Sequence, residues 1–187
     1  MKKNNQINRN IQIGVMGSAA DLKYSRALKK LAEELGSCIA QSKATLIFGA
    51  EKDSDSLSTI ACRSAKKASG LTVGVTYGKS KEIWQKEFVD LIIASGLERG
   101  GGRELTLVAS CDVIIALGGG SGTLTEIAIA YQANIPVVVL AGSGGWSDKL
   151  ANSYLDARKR FKIESALTPL AAVKKAISLT NHQSKLN

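Results

Sequence analysis

The sequence predicts an α/β fold: a single-domain, doubly wound parallel sheet, a Rossmann-like three-layer sandwich. Three observations carry this expectation. Runs of β-branched and aliphatic residues recur with little polar interruption, as in "TLIFGA" (45–50), "VIIAL" (113–117) and "PVVVLAG" (136–142), the pattern of strands buried on both faces. Segments of helical period separate them, so each strand reaches the next through a crossover helix of right-handed sense. Glycine- and serine-rich turns follow the strands, at the edge where open α/β sheets bind ligands.

The elements follow in order. "IQIGVM" (11–16) is a strand, followed by the loop "GSAAD" and a helix in which Tyr24, Leu28, Leu31 and Leu35 share one face. Asp21 is placed to cap that helix at its start and Gly36 at its end. After the strand 45–50 and the loop "EKDSDS", a second helix turns Leu57, Ile60, Ala61, Ser64, Ala65 and Ala68 inward, and Gly70 closes it. "LTVGVTY" (71–77) is a third strand, and a less regular stretch with Trp84 and Phe88 leads to a fourth, "FVDLIIAS" (88–95). Helix 102–111, strand 113–117, helix 122–134 and strand 136–142 come next. Trp146, Ser147 and Asp148 introduce a helix with Leu150, Ala151, Tyr154 and Leu155 facing in. Thr168-Pro169, a cap and a proline in the first turn, opens the last helix, with Leu170, Val173 and Ile177 inward. A single domain is thus expected over 11–180, between flexible tails 1–10 and 181–187.

Composition narrows the function. With 187 residues, 44% hydrophobic and 22% charged, the chain can bury a full core. No apolar run approaches the roughly 20 residues that cross a bilayer, and "MKKNNQINRN" lacks a signal peptide's apolar region. A cytoplasmic protein without membrane association is expected. Cys38, Cys62 and Cys111 show no C-x-x-C spacing, and the one histidine, His182, lies in a polar tail. Disulfides, metal ligation and histidine catalysis are all disfavoured. The net charge of +9 (25 basic minus 16 acidic) suits an anionic partner. Its basic residues are dispersed in pairs and aromatics are 5%, which favours a small anion over nucleic acid. "GVTYGKS" is one residue short of a P-loop between Gly74 and Gly78, and "GVMGSAAD" is not G-x-G-x-x-G.

The chemistry concentrates in "LERGGGRELTLVASCDVIIALGGGSGTLTEIAIAY" (97–131). The turn at Gly118, Gly119, Gly120, Ser121, Gly122 and Thr123 follows a strand and opens a helix, so its amides can hold a phosphate. Glu126 has a structural explanation, because Thr123-x-x-Glu126 is a capping-box spacing. Arg103 has none. A cation at a helix N-terminus opposes the dipole by about 0.3–1 kcal/mol, so an anion should balance it, either a ligand phosphate or Glu126. Arg99 and Glu104 are nearby alternates.

These residues resemble a known family. "GGGSGTLTE" matches the G-G-x-G-T-x-x-E signature of LOG-like proteins, and an arginine 23 residues earlier (126 minus 103) fits their second motif. LOG-like proteins, formerly called lysine decarboxylase-like, include cytokinin-activating phosphoribohydrolases and share a superfamily of Rossmann-like nucleotide binders with DprA. "SCDVIIALGGGSGTLTEIAIA" looks most similar to the branch around molybdenum-cofactor carrier proteins, and the likeness runs from "IGVMGSA" at Ile13 to about Leu140.

The resemblance implies hydrolysis of a nucleoside 5′-monophosphate at its N-glycosidic bond. Arg103 and Glu126 would be catalytic. Gly17, Ser18, Gly119, Gly120, Ser121, Gly122 and Thr123 would hold the nucleotide and its phosphate. Arg103 would keep Glu126 ionised. It implies a homodimer with no required cofactor and no metal, helices near the site packing across the two-fold axis. Ile129 and Ala130, off the main face of their helix, fit such packing. The alternative it implies is a non-catalytic carrier or sensor of molybdenum cofactor or another nucleotide derivative. Three departures bear on the choice. Gly118 stands where the hydrolases have proline, and Glu104 where they have lysine and carriers asparagine. "FGAEKDSDS" replaces a glycine-rich loop; its Glu51, Asp53 and Asp55 either repel a phosphate or cap the following helix.

Overall fold

The computed structural model describes residues 9–19 and 22–183, without the side chains of residues 182 and 183. Seven parallel strands form one sheet: β1 (Gln12–Gly17), β2 (Thr45–Gly49), β3 (Thr72–Thr76), β4 (Leu91–Ala94), β5 (Val113–Leu117), β6 (Val137–Leu140) and β7 (Glu164–Ala166). Their order is β4-β3-β2-β1-β5-β6-β7. The chain therefore winds outward in one direction from β1 and in the other from β5, and the reversal point lies between these two neighbours. In register, Gly17 pairs with Leu117, so the loops leaving β1 and β5 start side by side.

Helices cover both faces. α1 (Arg26–Gln41), α2 (Leu57–Lys67) and α6 (Pro169–Gln183) pack on one side, where Leu35, Ile39, Ile60 and Val173 meet Val15, Phe48 and Ile115. α3 (Gly102–Ala109), α4 (Ser121–Gln132) and α5 (Gly145–Leu150) pack on the other, where Leu107, Ile127 and Leu150 meet Met16, Ile47 and Ile114. The central strands β2, β3, β5 and β6 are buried along their whole length, as apolar runs covered on both faces must be. Among the described residues no helix is long and apolar enough to cross a membrane.

Several local expectations change. β7 was not anticipated, because "ESA" carries no apolar run; it joins the sheet by pairing with β6. α1 does not stop at Gly36. It continues to Gln41, and Gly36 is where α2 crosses: a Cβ there would overlap the Ala61 backbone. The cap of α1 is Ser25, whose Oγ accepts from the Leu28 amide at 3.2 Å; Asp21 lies outside the described residues. α5 ends at Leu150, which leaves Tyr154 exposed, and Leu170 and Ala68 also face solvent. Phe88 belongs to a short 3-10 turn ahead of β4 rather than to the strand. Thr168 does cap α6, accepting from the Ala171 amide at 3.3 Å. Arg9 is tied to Asp112 (Nη1–Oδ2 2.6 Å), which holds the approach to β1.

Candidate functional site

A cleft of about 380 Å³ opens at the carboxyl edge of the sheet, over the reversal point. Gly17 lines it from β1, Gly49 from β2 and Glu51 from the loop after it, Arg99 and Arg103 from the entry to α3, and Gly120 to Thr123 with Glu126 from α4. Sequentially distant motifs thus meet in one place.

The phosphate-loop candidates divide into two groups. Helix α4 starts at Ser121, with Gly120 as N-cap, and its first helical bond runs from the Leu124 amide to the Gly120 carbonyl at 3.1 Å. The amides of Ser121, Gly122 and Thr123 precede that bond and have no partner in their own helix. They line the cleft. Gly118 and Gly119 serve the fold instead. The Gly118 amide donates to Ser143 Oγ and the Gly119 amide to Ser18 Oγ, both at 2.8 Å. Their carbonyls accept from Ser147 and Trp146 of α5, at 3.0 and 3.1 Å. Both glycines have positive φ (62° and 97°), which favours glycine at this turn. Ser18 is therefore a brace behind the loop, while Gly17 reaches the cleft wall.

The two acids exchange the roles that spacing suggested. Because α4 begins at Ser121, Thr123 is its third residue rather than its cap, and Glu126 falls in the second turn, buried and facing the cleft. The capping acid is Glu104, whose Oε2 accepts from the Gly101 amide at 2.7 Å and the Gly100 amide at 3.1 Å. Burial pushes the Glu104 carboxyl up, but those amides and Arg103 outweigh it and hold it below the usual range.

Arg103 is also buried, and its guanidinium lies flat over Gly49. Any Cβ at that position would collide with it. Its ion-pair partners among the described residues are Glu51 (3.3 Å) and Glu104 (3.5 Å). The anion that balances Arg103 is therefore supplied by the chain, chiefly by the loop whose acids looked like a liability. Arg99 binds the other oxygen of Glu51. Asp55 faces Arg63 at 3.7 Å, and the cap of α2 is Ser56, whose Oγ accepts from the Thr59 amide at 3.0 Å. So the acids of this loop do not cap the helix.

Glu126 is left as the third carboxylate beside one shared arginine. Burial, opposed by Arg103 and reinforced by Glu104 and Glu51, pushes its carboxyl up to about 8. Arg103 does not hold it in the usual carboxylate range, because desolvation and two neighbouring carboxylates outweigh one cation already in use.

A family model described as the SLOG cluster4 family matches residues 10–173. The chain belongs to that family. Among solved structures, this SLOG protein is similar to the molybdenum cofactor binding protein of the phototrophic bacterium Rippkaea orientalis, at 30% identity over 92% of this chain and 98% of that one, TM-score 0.76. It is similar to the molybdenum cofactor carrier protein of Chlamydomonas reinhardtii at 31% identity, over 91% and 99%, TM-score 0.69. The structural-genomics target TM1055 matches at 25% identity over 90% and 99%, TM-score 0.79. No curated protein sequence matches the chain. The resemblance read from the glycine motif is borne out at the level of family and fold. Glu51, expected either to repel a phosphate or to cap the following helix, instead pairs with two arginines 48 and 52 residues away, a pairing that leaves no sequence signal.

Proposed function

We propose that this SLOG protein binds a phosphorylated, nucleotide-like ligand in the cleft and carries it. The ligand's phosphate sits on the amides of Ser121, Gly122 and Thr123, at the positive end of α4. The observation that supports carriage is the state of the acid pair. Arg103 is ion-paired with Glu51 and Glu104, and burial raises the Glu126 carboxyl to about 8, so the two do not form the pair of free guanidinium and ionised carboxylate that the hydrolase resemblance implies. Molybdenum cofactor, named for two of the similar structures, is the cargo to try first.

Hydrolysis is the second reading, favoured by Glu126 lying in the same cleft as Arg103. A protonated Glu126 would give its proton to the departing base as the C1′–N bond breaks. The carboxylate so formed would face the positive ribose. Water would then add its oxygen to C1′ and return a proton to Glu126. No cofactor enters these steps.

Incubation with a panel of nucleoside 5′-monophosphates and with molybdenum cofactor decides between the two, read by thermal shift and by chromatography of free base. Carriage expects stabilisation with no base released. Base released by the wild type and not by Glu126→Ala would replace it with the hydrolase. A ligand-bound crystal with the phosphate away from residues 121–123 would sink both.

We also propose a homodimer, through an apolar strip along α3 and α4 where Leu105 is 53% exposed beside Leu124 and Ile129. Ala130, by contrast, is fully buried in the core of its own subunit.

A further inference from the structure

Glu51 holds two arginines at once. Its side chain is 11% exposed; Oε2 accepts from Arg99 Nη2, and Oε1 lies 3.3 Å from Arg103 Nη2. One anion shared oxygen by oxygen between two guanidinium groups is how arginine pairs hold a phosphate or a ligand carboxylate. The surroundings are built for that geometry. The Trp84 amide donates to the Glu51 carbonyl at 2.9 Å, which fixes the loop. Arg99 rests over the Tyr77 ring at 5.0 Å, and Arg103 lies on the bare backbone of Gly49. Arg103 is 6% exposed at its side chain, and its buried Nε has no hydrogen-bond partner among the described residues. The guanidinium therefore keeps donor capacity that the chain does not use.

We infer that Arg99 and Arg103 form a second anion site, which Glu51 fills from within the chain, so that Glu51 restricts the cleft to ligands carrying one phosphate and no carboxylate. This rests on the reading that α4 takes the ligand's phosphate. The charges agree with it. Arg99 and Arg103 stand against Glu51 and Glu104, two against two, so this side of the cleft is balanced before any ligand arrives. A monophosphate places its charge on α4 and meets Glu51 only through the remaining lone pairs of the carboxylate, which accept from N–H and O–H groups. A second phosphate or a carboxylate would meet the Glu51 carboxylate, whose side chain is 11% exposed, and would have to displace it. The ligand class is a single phosphate on a donor-rich body that carries no carboxylate.

Inorganic phosphate is the probe, titrated at low salt and followed by NMR. The backbone amides of Ser121, Gly122 and Thr123 report the α4 site, and the Nε–H signals of Arg99 and Arg103 report the second. In the wild type the amides should shift and the arginine signals should not. In Glu51→Gln both sets should shift, the arginines half-saturating at least tenfold below the highest phosphate concentration that leaves the wild-type arginine signals unmoved. Glu51→Gln with Arg99→Ala should lose the second response. Arginine signals that stay still in Glu51→Gln, or that already titrate in the wild type, overturn the inference. Amides that stay still in every variant overturn the phosphate-loop reading instead. A measurement on the wild type alone guards against a variant that does not fold. Adenosine 5′-monophosphate should bind at least tenfold more tightly than adenosine 3′,5′-bisphosphate, and equal or tighter binding of the bisphosphate defeats the proposal.

Discussion

Gly49 and Arg103 show how a residue without a side chain can position one with a charge. The guanidinium occupies the space a Cβ would need, so Gly49→Ala must push Arg103 off its seat above β2. We expect ligand affinity to fall at least tenfold and stability by about 1–3 kcal/mol, as in other overpacked sites; titration and denaturant unfolding measure the two separately. Glu126 gives a pH signature. Its carboxyl rises from an ordinary 4.5 to about 8 on folding, chiefly through burial. The folded state thus holds a proton that the unfolded chain releases, so the contribution of this group to stability is full below pH 4.5 and is lost as pH rises through 8. Glu126→Gln should remove that slope. Melting curves should show the variant gaining on the wild type between these limits by on the order of a few kcal/mol and levelling off above them. A constant difference across that range would mean Glu126 is ionised in the folded protein.

At the scale of elements, the turn from β5 to α4 is held by two hydroxyls from other loops. Ser18 and Ser143 each accept an amide of the glycine run, and both are buried. Ser18→Ala should strand the Gly119 amide and cost about 1–3 kcal/mol in chemical denaturation. A loss of binding without loss of stability would instead place Ser18 against the ligand. The motif itself was legible, because a glycine run between a buried strand and a helix reports its backbone geometry locally. Its internal division was not. Which amides are free depends on Ser18, about a hundred residues before Gly119, and on α5. The same holds for the two acids. Thr123-x-x-Glu126 has the spacing of a cap, but the first turn begins at Ser121, and so capping falls to Glu104.

For the whole molecule, the strand order places four loops round one cleft and leaves an apolar strip beside it. If two copies meet through that strip, Leu105→Glu should convert dimer to monomer in light scattering while leaving the melting temperature of the subunit almost unchanged, since Leu105 is exposed within it. A dimer that survives the substitution would move the interface elsewhere. The sequence by itself determined the layers, six of the seven strands, the glycine turn ahead of α4, and Arg103 and Glu126 as residues to examine. Those features are written in short-range patterns: buried runs, helical period and glycine at a strand-to-helix turn. Only the tertiary structure decided that β7 adds to the edge, that Glu51 pairs with both arginines and that burial raises the Glu126 carboxyl. Each of these depends on what lies across the cleft or across the sheet. A short polar strand exists through its neighbour's hydrogen bonds, and a carboxylate takes its charge state from burial and from the cations the fold brings beside it.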